Sequence, residues 1–316
     1  MKDYTNLTSV CVMGGGPGLW VTCSAFANPL VNYLKTSFGE EGVYIILVSL
    51  TPCCTCQDPR GVLIKYTLKY VSLKKPRLVV VENVKGLSNA TNRRFLNKVL
   101  AFFKTNGYLV WDQCLDTQCW LPHSRVRLFI VAIRADSYKH PFSWPQNQPL
   151  GPKLQRSMVD DILDKPSGAD SPFALPPRQG TVSRAWSNVR QAILKCKANK
   201  TNVKHNHLIV DIDSSPSFRN YGVNQLRCLT ATRGSGRGHW ILSRGRRISI
   251  SEMFKFQGMM LADYQKAKNE SGVSDTAMGH MLGNTVPLPC AEAVLGAGLW
   301  SAGLVTEKPS GRWAVV

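Results

Sequence analysis

Two uninterrupted apolar runs, each followed at once by polar residues, constrain the fold more than any other feature of this chain. The run Val43–Leu50 leads into Pro52-Cys53, and the run Leu78–Val81 leads into Glu82-Asn83. Continuous apolar runs of this length are typical of strands buried on both faces of a parallel sheet. Because ligand sites lie at the carboxyl ends of such strands, the residues after both runs are the first candidates for a functional site.

Helical patterns alternate with these runs. Gly61–Val71 is a candidate helix, and Arg93–Thr105 is a clearer one that Gly107 is placed to stop. A further strand is predicted over Arg127–Ile133. The apolar residues of the clearer helix recur at helical spacing: Phe95, Val99, Phe102 and Phe103. Strands alternating with helices predict an α/β fold with a doubly wound, mostly parallel sheet.

The composition changes in the middle of the chain. Residues 143–180 are rich in Pro, Gln, Ser and Gly, which is typical of irregular connections and predicts a domain boundary. Beyond it, Ser183–Lys200 is predicted to be a basic helix with Trp186, Val189, Ile193 and Leu194 on one face. Helical patterns return at Glu252–Gln257 and at Ala291–Leu299.

The charge of the chain favours a polyanionic partner, either nucleic acid or an anionic membrane. Lys and Arg number 39 against 20 acids, a net +19. Arg184–Arg247 alone holds thirteen cations against two acids, a net +11. Glycines and aromatic residues interleave with the charge in Thr232–Trp240, which suits phosphate contact around Arg237. A merely solubilising surface is the alternative interpretation.

Other features of composition point to a soluble intracellular protein. No apolar run reaches roughly 18 residues, and Met1–Tyr4 lacks a basic and then apolar signal. The ten cysteines are too sparse for a disulfide scaffold and are expected to be reduced thiols. Cys53, Cys54 and Cys56 have no matching Cys or His pair downstream, so no metal site is predicted.

A thiol at Cys53 becomes a nucleophile only as the thiolate, and Pro-Cys alone fits a structural cysteine better than a nucleophile. Its meaning depends on four later segments. In chain order these are Glu82-Asn83-Val84, His123-Ser124-Arg125-Val126-Arg127, Arg246–Glu252 and Gly283-Asn284. The series resembles the cytosine-5 DNA methyltransferase family, whose ordered motifs are Pro-Cys, Glu-Asn-Val, Gln-x-Arg-x-Arg, Arg-x-Leu-Thr-x-x-Glu and a late Gly-Asn.

The resemblance implies a fold and a division of the chain. The fold would be the Rossmann-like one of S-adenosylmethionine-dependent methyltransferases, with a smaller, irregular target-recognition domain. Residues 1–142 would form the first part of the catalytic domain, and residues 143–245 the target-recognition region. Residues 246–316 would form the C-terminal part, with helices returning to the catalytic domain.

The resemblance also implies a reaction and the residues that perform it. Carbon 5 of cytosine is a poor nucleophile, so the Cys53 thiolate would first add to carbon 6 of a flipped-out base. Carbon 5 would then take a methyl group from S-adenosylmethionine. Glu82 would contact ring nitrogen 3 and the exocyclic amine, and Arg125 and Arg127 would hold the ring oxygen and the loop geometry. Asn83 would fix the turn at Glu82.

Partners and cofactor follow from the same resemblance. Double-stranded DNA is the expected substrate, with no membrane role, and Thr230, Arg233 and Arg237 are the expected DNA contacts. The expected cofactor residues are Gly14, Gly16, Pro52 and Asn284. Here the chain departs from the family: Val12 replaces an aromatic residue, and residues 22–28 lack the acid that would bind the ribose. His123 also stands where the family has Gln.

Three alternatives stay open. A catalytically degenerate, methyltransferase-like DNA-binding protein would explain the altered glycine loop. The tRNA-directed branch of the family shares the catalytic motifs, although its Cys-Phe-Thr element is missing here. A nicotinamide oxidoreductase would use Gly14–Gly18, but the acid expected about 20 residues on is missing. A nuclear location is expected if the source is eukaryotic, and a cytoplasmic one otherwise, while the oligomeric state and the target sequence stay open.

Overall fold

The computed structural model describes residues 10–13, 21–22, 45–50, 59–145, 148–168, 170–178, 183–215 and 220–307. The chain divides into two compact units. The first unit comprises Met1–Asp116, Val126–Asn147 and Pro289–Val316, and the second comprises Thr117–Arg125 and Gln148–Leu288. The predicted functional division of the chain stays a prediction.

A six-stranded sheet organises the first unit, in the spatial order β2-β1-β3-β4-β6-β5. Its strands are β1 (Val10–Met13), β2 (Val21–Thr22), β3 (Ile45–Leu50), β4 (Leu78–Val84), β5 (Tyr108–Asp116) and β6 (Val126–Arg134). The described helices of the chain are α1 (Pro59–Lys74), α2 (Arg93–Thr105), α3 (Pro152–Ile162), α4 (Arg184–Ala198), α5 (Ala231–Ser235), α6 (Ile250–Phe256), α7 (Leu261–Ser271), α8 (Asp275–Asn284) and α9 (Leu288–Ser301). These bounds confirm the predicted strands β3, β4 and β6 and the predicted helices α1, α2, α4, α6 and α9.

The sheet is mixed, so the prediction of a mostly parallel sheet is wrong for the described pairs. Among the described strands, only β3 and β4 pair in parallel, and the crossover helix α1 joins them. Helix α2 likewise crosses from β4 to β5, but β6 returns antiparallel and inserts between them. Strand β1 pairs antiparallel with both β2 and β3. A strand that follows a short connection runs antiparallel to its predecessor, and the apolar run of β6 does not reveal its direction.

Strand β4 lies between β3 and β6, and its two faces are buried by packed helices, with α1 and α2 covering the face of Val79 and Val81 and α9 covering the face of Leu78. Every residue of β4 from Leu78 to Asn83 is buried. Helix α9 packs closely on this strand at Gly298, where an added Cβ would lie 2.9 Å from the Leu78 side chain. The continuous apolar run therefore predicted the environment of β4 correctly, because neither face of the strand contacts water.

Helix α2 buries a slightly different face from the one predicted. Leu96, Val99 and Phe103 are buried against the sheet, whereas Phe95 is 43% exposed. The three buried positions are spaced by three and four residues and so lie on one stripe of the helix. Phe95 precedes that stripe and faces solvent.

The second unit contains a smaller antiparallel sheet, in the order β10-β9-β7-β8. Its strands are β7 (Leu208–Asp211), β8 (Tyr221–Val223), β9 (His239–Ile241) and β10 (Arg246–Arg247). Helix α4 covers this sheet with Val189, Ala192 and Cys196. Leu194, predicted to lie on the apolar face, is 54% exposed instead.

Two residues of the predicted phosphate-contacting segment belong to the core of the second unit. His239 is fully buried, and Trp240 packs in the cluster under α4 and donates its indole N–H to the Ala174 carbonyl at 3.1 Å. Successive side chains of a strand point to opposite faces, and both His239 and Trp240 are buried, so both faces of β9 are covered here. The interpretation of these two residues as part of a phosphate-contacting surface is therefore wrong.

Candidate active site and nucleic-acid interface

A buried ion pair joins Glu82 of β4 to Arg127 of β6. Arg127 Nε lies 3.0 Å from Glu82 Oε1, and the two side chains are 14% and 3% exposed. Val84 is the partner of Arg127 in the antiparallel register. Glu82, two residues before Val84, is therefore a diagonal neighbour of Arg127 on the same face of the sheet. The register alone thus brings together the carboxylate and one of the two arginines predicted for the site.

Asn83 does not form the turn that was predicted at Glu82, because β4 continues to Val84 and pairs with β6 throughout. The Asn83 Oδ1 atom accepts a hydrogen bond from the Val84 N–H at 2.6 Å. Its Nδ2 atom is buried and has no hydrogen-bond partner in the described part of the structure.

Strand β3 lies directly beside the Glu82 end of β4. In the parallel register Ser49 is the partner of Glu82, and Leu50 is the partner of Asn83. Pro52 and Cys53 follow in the sequence but lie outside the described residues, as do Gly14 and Gly16. Because β3 and β4 are parallel, both strands end at the same edge of the sheet. Strand β3 therefore ends, three residues before Cys53 in the sequence, at the edge of the sheet that carries Glu82.

Arg125 belongs to the second unit and has partners quite different from those of Arg127. Its side chain is buried, and Nη1 donates to the backbone carbonyls of Leu229 and Gly283, the latter at 3.1 Å. It also lies 3.9 Å from the Cys228 sulfur. The two arginines predicted to act together therefore bind separate groups.

His123, which replaces the family's Gln, is fully buried beside the same segment. Its Nε2 atom accepts a hydrogen bond from the Leu229 N–H at 3.3 Å, so at this contact the imidazole accepts rather than donates. Two backbone hydrogen bonds run alongside, from Ser124 N to Leu226 O at 2.9 Å and from Leu226 N to Pro122 O at 2.8 Å. Residues 122–125 and 226–229 thus form a paired, hydrogen-bonded stretch.

The Arg246–Glu252 motif forms the start of helix α6. Ser249 is the N-cap, its hydroxyl accepts from the Glu252 N–H, and the Glu252 carboxylate accepts from the Ser249 N–H, which completes a capping box. Arg246 binds both oxygens of the fully buried Glu252 carboxylate, at 2.8 and 3.0 Å. The hydrogen bond and charge of Glu252 raise the pKa of Arg246 further above its usual range. The motif is therefore structural in this unit.

Asp164 extends this polar network beneath α6. Its carboxylate accepts from the hydroxyls of Ser249 and Ser251, each at 2.6 Å, and from Lys255 Nζ at 3.0 Å. Burial alone would raise the pKa of Asp164, but these three donors together lower it below its usual value. Two ion pairs, Arg246–Glu252 and Lys255–Asp164, consequently stabilise the start of α6.

The predicted DNA contacts cluster around the short helix α5. Thr230 is its exposed N-cap, and the Thr230 hydroxyl accepts from the Arg233 N–H at 3.4 Å. Arg233 Nε lies 2.7 Å from Asp211 Oδ1, so this cation already has an acidic partner within the unit. Arg237 is exposed and has a positive φ of 48°, which turns the backbone sharply after α5. Of these two arginines, Arg237 is the exposed one, whereas Arg233 is partly buried and paired with Asp211.

Asn284 is the last residue of α8 and is half-buried. It follows Gly283, whose carbonyl accepts from Arg125. In the described ranges, no group of three or more His, Cys, Asp or Glu residues is arranged to hold a metal ion. Of the described helices, none is long and apolar enough to cross a membrane.

Comparisons with known proteins agree with this arrangement. The family model for C-5 cytosine-specific DNA methylases matches residues 53–299. A type II methyltransferase from Neisseria gonorrhoeae is 35% identical over 89 residues, which are 27% of this chain and 24% of the relative. Another from Herpetosiphon aurantiacus is 36% identical over 121 residues, 35% of this chain and 28% of the relative. The matched segments thus span only about a quarter of the length of these relatives.

Among solved structures, a candidate DNA modification methyltransferase from an E. coli prophage superposes with a TM-score of 0.52. The superposition covers 89% of this chain and 84% of the chain in that structure, at 16% sequence identity. This is a likeness of fold alone. The family match, by contrast, begins at Cys53 and includes Glu82, Arg125, Arg127 and Asn284. The chain therefore belongs to the C-5 cytosine-specific DNA methylase family.

Proposed function

We propose that this protein is a cytosine-5 DNA methyltransferase that forms a covalent Cys53 adduct with a flipped-out cytosine in double-stranded DNA. The buried Glu82–Arg127 pair, on the strand beside the one that leads to Cys53, is the observation that carries the proposal. Cys53 follows Leu50 by three residues, and three residues span at most about 11 Å. Chain length thus permits the thiolate and the carboxylate to act on one base.

The pair suits the electronic demand of the first step. When the Cys53 sulfur bonds to carbon 6, the electron pair of the carbon 5–carbon 6 double bond moves onto carbon 5. The negative charge is delocalised from carbon 5 to ring nitrogen 3 and the carbonyl oxygen on carbon 2. Glu82 would hold nitrogen 3 and the exocyclic amine, and the Arg127 guanidinium would face the electron-rich carbonyl oxygen. Preorganised donors in a water-poor site stabilise such charge more than water does.

S-adenosylmethionine is the methyl donor that the family implies, and we propose it for this chain. The described strands do not fit a cofactor held beside Glu82 by Gly14 and Gly16. Met13, the last residue of β1, is paired with Ile45 at the start of β3, whereas Glu82 is paired with Ser49, about 13 Å further along that strand. These glycines and Pro52 therefore remain predictions, together with Asn284.

The register of β1 also favours a second candidate function, a DNA-binding protein that has lost cofactor binding. Titration calorimetry with S-adenosylmethionine separates the two. Cofactor-dependent heat supports the enzyme. Tight, salt-dependent DNA binding without such heat at high cofactor concentration supports the degenerate protein.

DNA would be contacted by Thr230, Arg233 and Arg237, with residues 143–245 as the target-recognition region. The exposed cations of α4 belong to the same proposal, because the sequence from Ser171 to Val210 contains no acid to offset them. Target flipping costs a few kcal/mol and requires contacts to the duplex on either side of the base. The two relatives described above come from bacteria and do not support the nuclear location.

The test is adduct formation with a duplex that contains 5-fluorocytosine, in the presence of S-adenosylmethionine. The fluorine blocks loss of the group at carbon 5, so the enzyme stays bound and migrates with the DNA on a denaturing gel. We expect an adduct for the wild type and for the neighbouring control Cys54→Ser, and none for Cys53→Ser. An adduct that persists in Cys53→Ser contradicts the assignment. A parallel reaction with tRNA tests the tRNA-directed alternative.

A further inference from the structure

We propose that Arg125 is a positioning residue, which fixes the DNA-contacting segment Leu229–Ser235 against helix α8 and does not contact the target base. The inference rests on the proposed function, because it assigns a role within DNA binding. It separates Arg125 from Arg127, although the two stand in one motif. Its support lies entirely within the second unit.

The guanidinium of Arg125 is committed to backbone carbonyls. Nη1 donates to Leu229 O, the residue before Thr230, and to Gly283 O in α8 at 3.1 Å. The whole residue is 3% exposed. Charge-assisted hydrogen bonds of a buried guanidinium to two separate carbonyls hold the two segments in one relation. To reach a base, this side chain would have to give up both contacts.

Leu229 is held from its amide side as well. Its N–H donates to the buried His123 ring at 3.3 Å, so the two polar backbone groups of one residue bind side chains only two residues apart in the sequence. The backbone pairing of residues 122–124 with Leu226 continues this attachment. The strand-like stretch that precedes Thr230 therefore has little freedom to shift.

Glycines allow the rest of the segment to lie directly on α8. A Cβ added to Gly279 would lie 2.2 Å from the Gly234 carbonyl oxygen, and one added to Gly283 would lie 2.2 Å from the Thr230 carbonyl. A Cβ on Gly234 would lie 1.8 Å from the Gly279 oxygen. Real Cβ atoms do not approach so closely, so only glycine at these three positions permits this backbone contact. We call Gly234, Gly279 and Gly283 the glycine seam.

The Arg125 hydrogen bonds and the glycine seam have the same consequence for DNA binding. The exposed N-cap Thr230 and the Arg233 beside it are presented on an edge that Arg125 and the glycine seam hold still. Ordering a flexible segment at the moment of binding lowers affinity, and a segment that is already ordered avoids this loss. Loss of the Arg125 contacts should therefore weaken DNA binding whatever base occupies the target position.

The experiment compares Arg125→Lys with Arg127→Lys on two duplexes, one with cytosine and one with an abasic site at the target position. Lysine keeps the charge but not the planar fork of donors. We expect Arg125→Lys to weaken binding to both duplexes by a similar factor, roughly 10- to 100-fold. Arg127→Lys should weaken binding only to the cytosine duplex. Equal affinity of Arg125→Lys and wild type for the abasic duplex, with a loss confined to cytosine, overturns the proposal.

Two further measurements keep the inference testable if Arg125→Lys misfolds. Gly279→Ala leaves Arg125 in place but opens the glycine seam, and it should reproduce the loss on both duplexes. Gly86→Ala is the control, because it lies outside residues 143–245 and an added Cβ there meets nothing nearer than the Val84 side chain at 4.0 Å. Amide hydrogen exchange over residues 230–236 should also accelerate in Arg125→Lys and in Gly279→Ala without DNA present. Unchanged exchange in both overturns the proposal, even if the protein binds no DNA and the proposed function fails.

Discussion

His239 should make the folding of this protein sensitive to mild acid. The residue lies on β9 with no exposed surface, and neither ring nitrogen has a hydrogen-bond partner among the described residues. Burial lowers the pKa of His239 to about 4, with the charge of Arg233 acting in the same direction and that of Asp211 opposing it. The imidazole is therefore neutral in the native protein at neutral pH.

The sign and the size of the effect follow from linkage. An unfolded histidine has a pKa of about 6.5, so between pH 6.5 and pH 4 the unfolded state binds more protons than the folded state. This contribution to stability is complete above pH 6.5 and declines as the pH falls. Each pKa unit of difference between the folded and unfolded states is worth about 1.4 kcal/mol. The free energy of unfolding should therefore fall by about 2 kcal/mol at pH 5 and by about 3 kcal/mol near pH 4.

Urea unfolding at pH 7.5 and pH 5 measures this loss. Other groups titrate in the same range, so the informative quantity is the difference between the wild type and His239→Leu in their response to pH. We expect the variant to lose about 2 kcal/mol less than the wild type on acidification. His205→Leu removes an exposed histidine and should respond to pH as the wild type does. Equal losses for wild type and His239→Leu refute the argument that the buried ring controls this response.

Three further predictions concern the ion pairs and the basic surface. Glu252→Gln should lower the free energy of unfolding by about 1.5–3 kcal/mol in urea titrations, because it removes the charge of the buried carboxylate that Arg246 binds through two hydrogen bonds and leaves Asp170 as the remaining acidic partner of Arg246. Arg127→Lys should slow adduct formation on 5-fluorocytosine DNA roughly 10- to 100-fold with little change in the unfolding midpoint, since one charged donor is misplaced. Arg237→Gln should reduce the slope of log affinity against log salt by about 0.9 in DNA-binding titrations, while the exposed Lys98→Gln should leave it unchanged.

Each of these has a result that contradicts it. A loss for Glu252→Gln no larger than that for Arg93→Gln, which breaks an exposed pair with Asp112, argues against a structural role for the buried pair. Adduct formation at the wild-type rate in Arg127→Lys removes this arginine from the reaction. Equal salt slopes for Arg237→Gln and the wild type place Arg237 away from DNA.

Local sequence pattern determined the elements of the first unit well. The apolar run of β4 reflects burial on both faces, a property that a single strand records in its own composition. The bounds of α2 agree with those expected from its periodicity and from Gly107. The two apolar runs also predicted that the ends of β3 and β4 lie at one edge of the sheet, which the parallel pairing of Ser49 with Glu82 confirms.

Periodicity did not decide which face of a helix becomes buried when several apolar residues compete. Phe95 and Leu194 are exposed because the neighbouring stripes of α2 and α4 meet the sheets instead. The strands of the second unit are two to four residues long, too short for a period to be seen. For this reason the sequence did not predict the burial of His239 and Trp240, which stand among charged residues and glycines.

Strand direction and long-range pairing were decided only by the tertiary structure. Strand β6 inserts antiparallel between β4 and β5, and this register brings Arg127 to Glu82. Arg125, two residues earlier, is instead bonded to Gly283, which lies 158 residues away in the chain. The sequence indicates what kind of environment each side chain requires, and it predicted that Arg125 and Arg127 both belong to the functional site. Which distant backbone supplies that environment depends on how the whole chain packs, and no local pattern contains that information.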